Sequence, residues 1–197
     1  ANQSLDQLGR GALTALARAI DAKSDWTAGH SERVTQLALS IGRALGLGTD
    51  ELENLHRAGL LHDIGKIGTP ARILDKNDRL TDQEYQIVQE HPRIGELILE
   101  PVDAFAELLP IVKQHHERFD GSGYPDGLAG EEIVLAARIL AVADVFDALG
   151  SDRPYRAGLN PEQVLQIILR DSGSKFDPQV VGALLKVKGK NQVLHAE

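Results

Sequence analysis

The stretch GLLHDIGKIGTP, residues 59–70, combines the end of a predicted helix with residues that suggest chemistry. Apolar residues ahead of it recur every three or four positions, which predicts a helix that runs to His62. Two glycines and a proline then interrupt that spacing. His62 and Asp63 place an imidazole and a carboxylate side by side, and Lys66 follows three residues later. The stretch therefore predicts a metal-ligand pair beside a cation suited to phosphate.

The same apolar spacing recurs in both directions from this stretch and predicts helices over most of the chain. Pro110 must start a new helix or kink the one that contains it. Residues 117–130 are rich in glycine and predict a loop. No alternating strand pattern or internal repeat is present, so the predicted fold class is all-α, a multi-helix bundle. Two capping boxes are predicted, Asp50/Glu53 at the start of one helix and Thr81/Glu84 at the start of a short helix that stops near the His91-Pro92 step. The other predicted helix ranges, together with the one that Asp50 opens, are 5–20, 29–45, 50–62, 102–115, 133–149, 161–170 and 178–187.

Composition limits the classes of protein that fit. The 197 residues suffice for one well-packed domain, and 42% hydrophobic with 25% charged residues is ordinary for a soluble globular protein. The formal net charge of −8 argues against binding to a nucleic-acid polymer. No apolar run approaches the roughly 20 residues of a membrane span, and no secretory signal opens the chain, which predicts a cytoplasmic location. Without cysteine, a metal must be held by imidazole and carboxylate, which favours iron or manganese.

Five of the seven histidines lie at predicted helix ends or beside glycine-rich breaks, although any one alone is more often a surface or core residue than a ligand. Asp144 interrupts the apolar run LAVADVF, and a buried carboxylate needs a salt bridge, a helix cap or a metal ion. Together with the histidines, it favours a metal. Asp147, one turn later, either orients a ligand or is a solvated surface residue. The five histidines are His30, His62, His91, His115 and His116.

Four strings of the sequence occur in a characteristic order: HDIGK from His62, HP from His91, HHERFDGSGYPDG from His115 and ADVFDALGSDRPYR from Ala143. Together they resemble the HD-GYP family of HD-domain phosphohydrolases. The similarity covers about residues 25–156, with weaker continuity to residue 177, and this order of motifs is far more specific than a lone His-Asp pair. The resemblance implies a helical HD-type fold that hydrolyses cyclic di-GMP to pGpG and, in some members, onward to GMP.

The resemblance also implies a role for each matching residue. Asp63 would bridge two divalent metal ions, most readily iron or manganese, with nickel, zinc or cobalt also possible. Two ions about 3.5–4 Å apart can hold a bridging hydroxide and clamp the phosphoryl oxygens, so Asp63 and Lys66 would be the catalytic residues. Lys66, Tyr124, Arg153 and Arg156 would contact substrate; the alternatives are a solvated basic surface for the cations and a core aromatic for Tyr124. The implied metal ligands are His30, His62, Asp63 and Asp144 for the first metal, with His91, His115 and His116 extending the cluster.

One position departs from the family pattern. Members with three metals carry a glutamate one helical turn before the first histidine, and here the position four residues before His30 is Trp26. The indole N–H is only a donor, and Asp25 would point about 100° away on a helix. The sequence therefore predicts a two-metal centre, with a slow second cut to GMP.

The resemblance divides the chain into an N-terminal helix, residues 1–24, and a catalytic domain, residues 25–197. The amphipathic helix either packs on its own domain, pairs with its copy in a homodimer, or connects to an upstream sensor or receiver domain. Two rival functions stay open. One is a phosphohydrolase of another nucleotide, and the other is a low-turnover cyclic di-GMP sensor that binds a partner such as a cyclase domain.

Overall fold

A computed structural model describes residues 2–24, 27–152 and 157–194, with side chains at 7–24, 27–152 and 157–189. Within these ranges the secondary structure is helical apart from two isolated β-bridges, so the predicted all-α class is confirmed. The α-helices are α1 (Asn2–Asp21), α2 (His30–Leu45), α3 (Thr49–Leu61), α4 (Ala71–Leu74), α5 (Asp82–Gln89), α6 (His91–Leu99), α7 (Leu109–Gln114), α8 (Leu135–Gly150), α9 (Pro161–Arg170) and α10 (Pro178–Leu194). Three 3₁₀ segments are Ile64–Gly68, Asp103–Leu108 and Gly130–Glu132.

The core forms around α8, which is apolar on nearly every side. α2 packs against both α3 and α8, and α10 packs on α2. Ile41 of α2, Leu55 of α3 and Leu140 of α8 are fully buried. Burying each such side chain contributes about 1.5–3 kcal/mol, so this contact fixes the frame that carries His30 on α2 and Asp144 on α8.

The first helix, α1, lies along α2 and α3. Ala17 is buried, while Arg10 pairs with Glu53 at 2.9 Å and Arg18 pairs with Glu32 at 2.7 Å. Both arginines are exposed, so solvent screens the pairs and apolar contact does more to hold the helix. The domain division at residue 24 stays a prediction. None of the helices in the described part of the chain has the length and apolar character needed to cross a membrane.

Several capping signals were read correctly. Gly46 adopts the left-handed conformation, with φ 83°, that ends α2, and Thr81 and Glu84 form the predicted capping box of α5. Pro110 lies in the first turn of α7, one of the two outcomes predicted. α9 runs over the predicted residues 161–170.

One capping prediction is wrong and one helix was missed, although α5 ends at Gln89, close to the His91-Pro92 step as predicted. The cap of α3 is Gly48, whose N–H donates to Glu51 at 2.8 Å, and not the Asp50/Glu53 pair. Pro92 lies in the first turn of α6, where its missing N–H costs no hydrogen bond, so the His91-Pro92 step begins a helix that was not predicted. His91 is consequently the first residue of a helix.

The 3₁₀ segment Ile64–Gly68 lies directly on α6 because Gly65 has no side chain. A Cβ there would overlap the carbonyl oxygen of His91 and lie 2.6 Å from the backbone nitrogen of Gly95. No rotamer change relieves a clash with backbone atoms. The glycine therefore brings Asp63, just before the segment, next to His91.

Replacing Gly65 with alanine should push these two backbones apart. We expect Gly65→Ala to lower the free energy of unfolding in urea by about 2–4 kcal/mol, the upper range for overpacking. The matched control is Gly182→Ala in α10, where a Cβ meets no atom within 4 Å. That variant should be neutral or more stable by up to about 1 kcal/mol. Equal losses in both variants would contradict the close approach.

Candidate metal centre

The seven predicted metal ligands fall into two groups. In each group, every residue offers one ligand atom, and these atoms lie within 4.8 Å of one another. The residues come from three helices, α2, α6 and α8, and from the turns after α3 and α7, and all but His116 and Asp144 are buried. The first group is Asp63, His91, His115 and His116, and the second is His30, His62 and Asp144.

Asp63 lies between the two groups. Its Oδ1 is 3.3 Å from Nε2 of His91, in the first group. Its Oδ2 is 3.6 Å from Nε2 of His62 and 3.9 Å from Nε2 of His30, in the second group. Nζ of Lys66 donates to the same Oδ2 at 2.6 Å. The carboxylate thus faces each group with a different oxygen, which is the arrangement of a bridging ligand.

Three histidines immediately follow a helix or its cap and turn Nδ1 back on that helix. The last carbonyls of a helix have no intrahelical partner, so each Nδ1–H caps one of them. This fixes the tautomer and leaves an Nε2 lone pair directed into the centre. The bonds run from His62 to the carbonyl of Gly59 at 2.7 Å, from His91 to Val88 at 2.6 Å and from His115 to Val112 at 2.6 Å.

In His30, Nδ1 faces a side-chain carboxylate, whereas in the three histidines above it faces a backbone carbonyl. Its Nδ1 is 2.8 Å from Oδ2 of Asp147, and its Nε2 is 3.1 Å from Oδ1 of Asp144. Arg33 donates to Oδ1 of Asp147 at 2.7 Å, and the Asp147 side chain is only 12% exposed. Of the two interpretations left open for Asp147, the structure therefore places it beside a ligand. Burial opposes the charged imidazole, but the hydrogen bonds that His30 donates to Asp144 and Asp147 outweigh it and raise the pKa of His30 to about 9.

Three of the other ligands, His115, His116 and Asp63, are held in the states that a cation needs. Burial, together with the neighbouring histidines, lowers the pKa of His115 well below its ordinary value and that of His116 to about 3. Burial disfavours the charged carboxylate of Asp63, yet Lys66 and His62 outweigh it and hold its pKa well below the usual range. Neutral imidazoles and ionised carboxylates are the ligand forms that bind a divalent metal.

The residues fit two divalent cations because their lone pairs face each other. Nε2 of His91 is 3.3 Å from Nε2 of His115, and both rings already donate through Nδ1. Nε2 of His62 and Oδ1 of Asp63 are buried and have no hydrogen-bond partner. Such atoms repel and lack solvation unless a positive charge lies between them. Nε2 of His30 and Oδ1 of Asp144 face each other at 3.1 Å in the second group.

The loop 117–130 places Tyr124 over the first group. Its ring lies 4.9 Å from that of His116 at an angle of 30°, and its N–H donates to the His116 carbonyl at 3.2 Å. A Cβ on Gly123 would lie 2.5 Å from Cα of Glu117, so only glycine permits this fold of the loop. Burial raises the pKa of the Tyr124 phenol, which stays neutral.

Two positioning carboxylates were missed by sequence reasoning. Glu117 is buried and accepts the N–H groups of Asp126 and Gly127 at 2.7 and 3.1 Å, which closes the loop. Asp21 accepts the N–H and the hydroxyl of Ser31 at 3.1 and 2.7 Å, which holds the start of α2. The position of Glu117 directly after the His115-His116 pair was the available signal. Nothing in the sequence around Asp21 indicated its role.

Four residues used in predictions from the sequence lie outside the described residues. They are Arg153 and Arg156, the two predicted substrate contacts in the string DRPYR, and Asp25 and Trp26, on which the choice between two and three metals rests. Their roles stay predictions.

A family model described as HD domain matches residues 14–180. The chain belongs to the HD-domain family. The cyclic di-GMP phosphodiesterase response regulator RpfG of Xanthomonas campestris is 44% identical to this HD-domain chain over 179 residues, 90% of the chain and 47% of the relative. The 3'3'-cGAMP-specific phosphodiesterase 3 of Vibrio cholerae is 43% identical over 174 residues, 88% of the chain and 38% of the relative. The chain thus spans less than half the length of either relative.

A solved structure has the same HD fold. It is that of a cyclic GMP-AMP specific phosphodiesterase of Vibrio cholerae, with a TM-score of 0.73 and 23% identity, covering 94% of this chain and 50% of the other. The HD-type fold and the family resemblance predicted from the motifs are confirmed.

Removing the charge of Asp147 tests how His30 is positioned. We expect Asp147→Asn to lower the affinity for divalent metal about 10–100-fold while the chain stays folded, the usual range for a residue that orients a ligand. Manganese titration against a competing chelator measures this. The matched control is Asp177→Asn, which breaks a buried ion pair with Arg138 outside both ligand groups. Metal affinity that falls equally in both variants would show a general loss of packing.

Proposed function

We propose that this HD-domain chain is a metal-dependent phosphodiesterase that hydrolyses cyclic di-GMP to pGpG, with a slower onward step to GMP. The observation that carries the proposal is Asp63, whose two oxygens face two separate groups of metal ligands. Two divalent ions, when bound, would lower the pKa of a water molecule and polarise the scissile phosphate. We propose iron or manganese because the donors are imidazoles and carboxylates; nickel, zinc or cobalt would also suit them.

The chain's own residues supply binding and orientation. Lys66 is held by Asp63 at 2.6 Å with its side chain 24% exposed, so its ammonium can donate to a phosphate oxygen from the solvent side of the centre. A cavity of about 380 Å³ adjoins the first group and is lined by His116, Tyr124 and Arg118. The phenol ring of Tyr124 offers an apolar face for a base, and Arg118 offers a cation for a phosphate. Arg153 and Arg156 are proposed as further contacts to phosphate or guanine.

A second substrate has comparable support. The relatives named for cyclic di-GMP and for 3'3'-cGAMP are 44% and 43% identical to the chain, so overall similarity does not separate the two. The molecules share the phosphodiester ring and differ in one base. A comparison of kcat/KM for both substrates on one metal-loaded sample decides between them.

Three partners are proposed: an upstream receiver or other sensor domain, a second copy of the chain and a cyclase domain. One relative is named a response regulator, which supports an upstream receiver or other sensor domain. Leu8 and Leu16 of α1 are 70% and 48% exposed, which supports pairing of α1 with its copy in a homodimer. A cyclase domain remains a proposed partner for a chain that signals without turnover.

Metal stoichiometry provides the first test. We expect about two ions per chain after anaerobic reconstitution with iron or manganese, because the ligands form two groups. Elemental analysis together with a protein assay measures the ratio. Less than one tightly bound ion per chain would contradict the centre. A third ion near residues 25–30 in a crystal soaked with excess metal would contradict the two-metal prediction.

Replacing Asp63, the proposed bridging ligand, provides the second test. We expect Asp63→Ala to be folded by circular dichroism and to lose at least about 10³-fold in kcat on cyclic di-GMP, since a polarising ion contributes several kcal/mol to the transition state. Removing metal from the wild type with a chelator should cause a similar loss, which added manganese reverses. Wild-type turnover by Asp63→Ala at wild-type metal content would refute the mechanism. A wild type that binds cyclic di-GMP with full metal yet does not hydrolyse it would favour the sensor.

A further inference from the structure

Tyr85 of α5 lies where two cavities meet. One cavity, of about 380 Å³, contains His116 and Tyr124 of the candidate centre. The other, of about 620 Å³, lies between α4 and α5 and contains Lys76 and Arg79. Tyr85 lines both, so the second cavity adjoins the first at this ring.

The α4–α5 cavity also adjoins the centre at a second point. A small cavity of about 60 Å³ is lined by Asp63 and Lys66, and it shares Leu74 with the α4–α5 cavity. Leu74 therefore lies beside both of these cavities, as Tyr85 lies beside the two larger ones.

The ring of Tyr85 continues a row of aromatic rings that starts at the centre. The Tyr124 ring is 4.9 Å from His116, and the Tyr85 ring is 6.4 Å from Tyr124 at an angle of 80°. An edge contact covers little of a ring, and Tyr85 stays 43% exposed. A large aromatic surface is thus left uncovered beside the centre.

The helix turn that carries Tyr85 is held in place by its cap. Glu84 accepts the N–H of Thr81 at 2.8 Å, and Thr81 accepts the N–H of Glu84 at 3.2 Å. Lys76 donates to Glu84 at 2.5 Å, which ties the α4–α5 connection to the same turn. A ring on such a fixed turn loses little conformational entropy when a ligand stacks on it.

The walls of the α4–α5 cavity suit a neutral, planar group. Three apolar side chains and Tyr85 form its inner surface, and the formal charges of the four ionisable residues around them cancel. A cavity for phosphate would need an excess of cations, whereas a nucleobase needs an apolar surface with polar groups at its edge. The apolar residues are Ile73, Leu74 and Leu80, and the charged ones are Lys76, Asp78, Arg79 and Asp82.

We propose that the α4–α5 cavity binds one nucleobase of the cyclic dinucleotide and that Tyr85 stacks on that base. The proposal rests on the proposed function and extends it to the recognition of the substrate. A cyclic dinucleotide carries two bases on one phosphodiester ring, and the centre is flanked by two cavities of base size or larger. The base nearer Tyr124 occupies the first cavity, and the other base occupies the α4–α5 cavity.

Replacing Tyr85 with alanine tests the stacking. We expect Kd and KM for cyclic di-GMP to rise about 5–100-fold, the range for loss of one stacked base, with a much smaller change in kcat. Tyr85→Phe keeps the ring and should stay close to the wild type. Alanine favours a helix, so the variant should fold. The matched control is Ile87→Ala, a residue of the same helix that is 41% exposed and, in the described structure, lines neither cavity.

Three outcomes would overturn the proposal. They are unchanged Kd and KM in Tyr85→Ala, an equal loss in Tyr85→Phe, and an equal loss in Ile87→Ala. Equilibrium dialysis of a labelled, hydrolysis-resistant phosphorothioate analogue of cyclic di-GMP against each metal-loaded variant keeps this test separate from catalysis. If the wild type binds without turnover, the hydrolase proposal fails, while the Kd values of the variants still decide the role of Tyr85. If the wild type binds no cyclic dinucleotide, both proposals fail.

Discussion

Mutual repulsion among buried lone pairs is the constraint on which the rest of this structure depends. Nε2 of His91 and Nε2 of His115 face each other at 3.3 Å, and the carboxylate of Asp63 lies against three imidazoles with one oxygen unpaired. Burying such groups without compensation costs several kcal/mol. A divalent cation bound between these atoms would offset that cost better than water could. The ammonium group of Lys66 already places one positive charge beside the Asp63 carboxylate.

Helix ends make the convergence possible. Each end leaves polar backbone groups without partners, and a histidine placed there can cap the helix with Nδ1 and present Nε2 as a ligand. His62, His91 and His115 all do so with the carbonyl three residues earlier. One side chain therefore satisfies the helix and forms the site. The close approach at Gly65 then joins two such ends, so that the ligand geometry depends on backbone packing as much as on the ligands.

The sequence was sufficient for the helical class, the ligand types and the recognition of the family, because these depend on local spacing and on motifs that occupy few positions. Local spacing was insufficient for the grouping of the ligands, which only the family resemblance implied. His30 and Asp144 become neighbours only because α2 packs on α8, a tertiary contact that local periodicity does not encode. The helix that contains Pro92 was missed because a proline that marks the end of one helix can also lie in the first turn of the next. Asp147 stayed undecided because a solvated carboxylate and one that orients His30 share the same helical position.

Under the proposed function, charge would attract the phosphates of the substrate, whereas the cavities beside the centre would recognise its bases. With a net charge of −8, the chain repels anions at long range, so under the proposed function attraction would have to be local and would come from bound metal, Lys66 and Arg118. These groups would contact phosphates, which cyclic di-GMP and 3'3'-cGAMP have in common. The base that distinguishes the two molecules would be recognised by the cavities beside the centre, where the formal charges of the α4–α5 walls cancel and Tyr85 and Tyr124 provide aromatic surfaces. We therefore infer that substitutions around Tyr85 change which dinucleotide is preferred, whereas substitutions at the metal ligands change the rate for both alike.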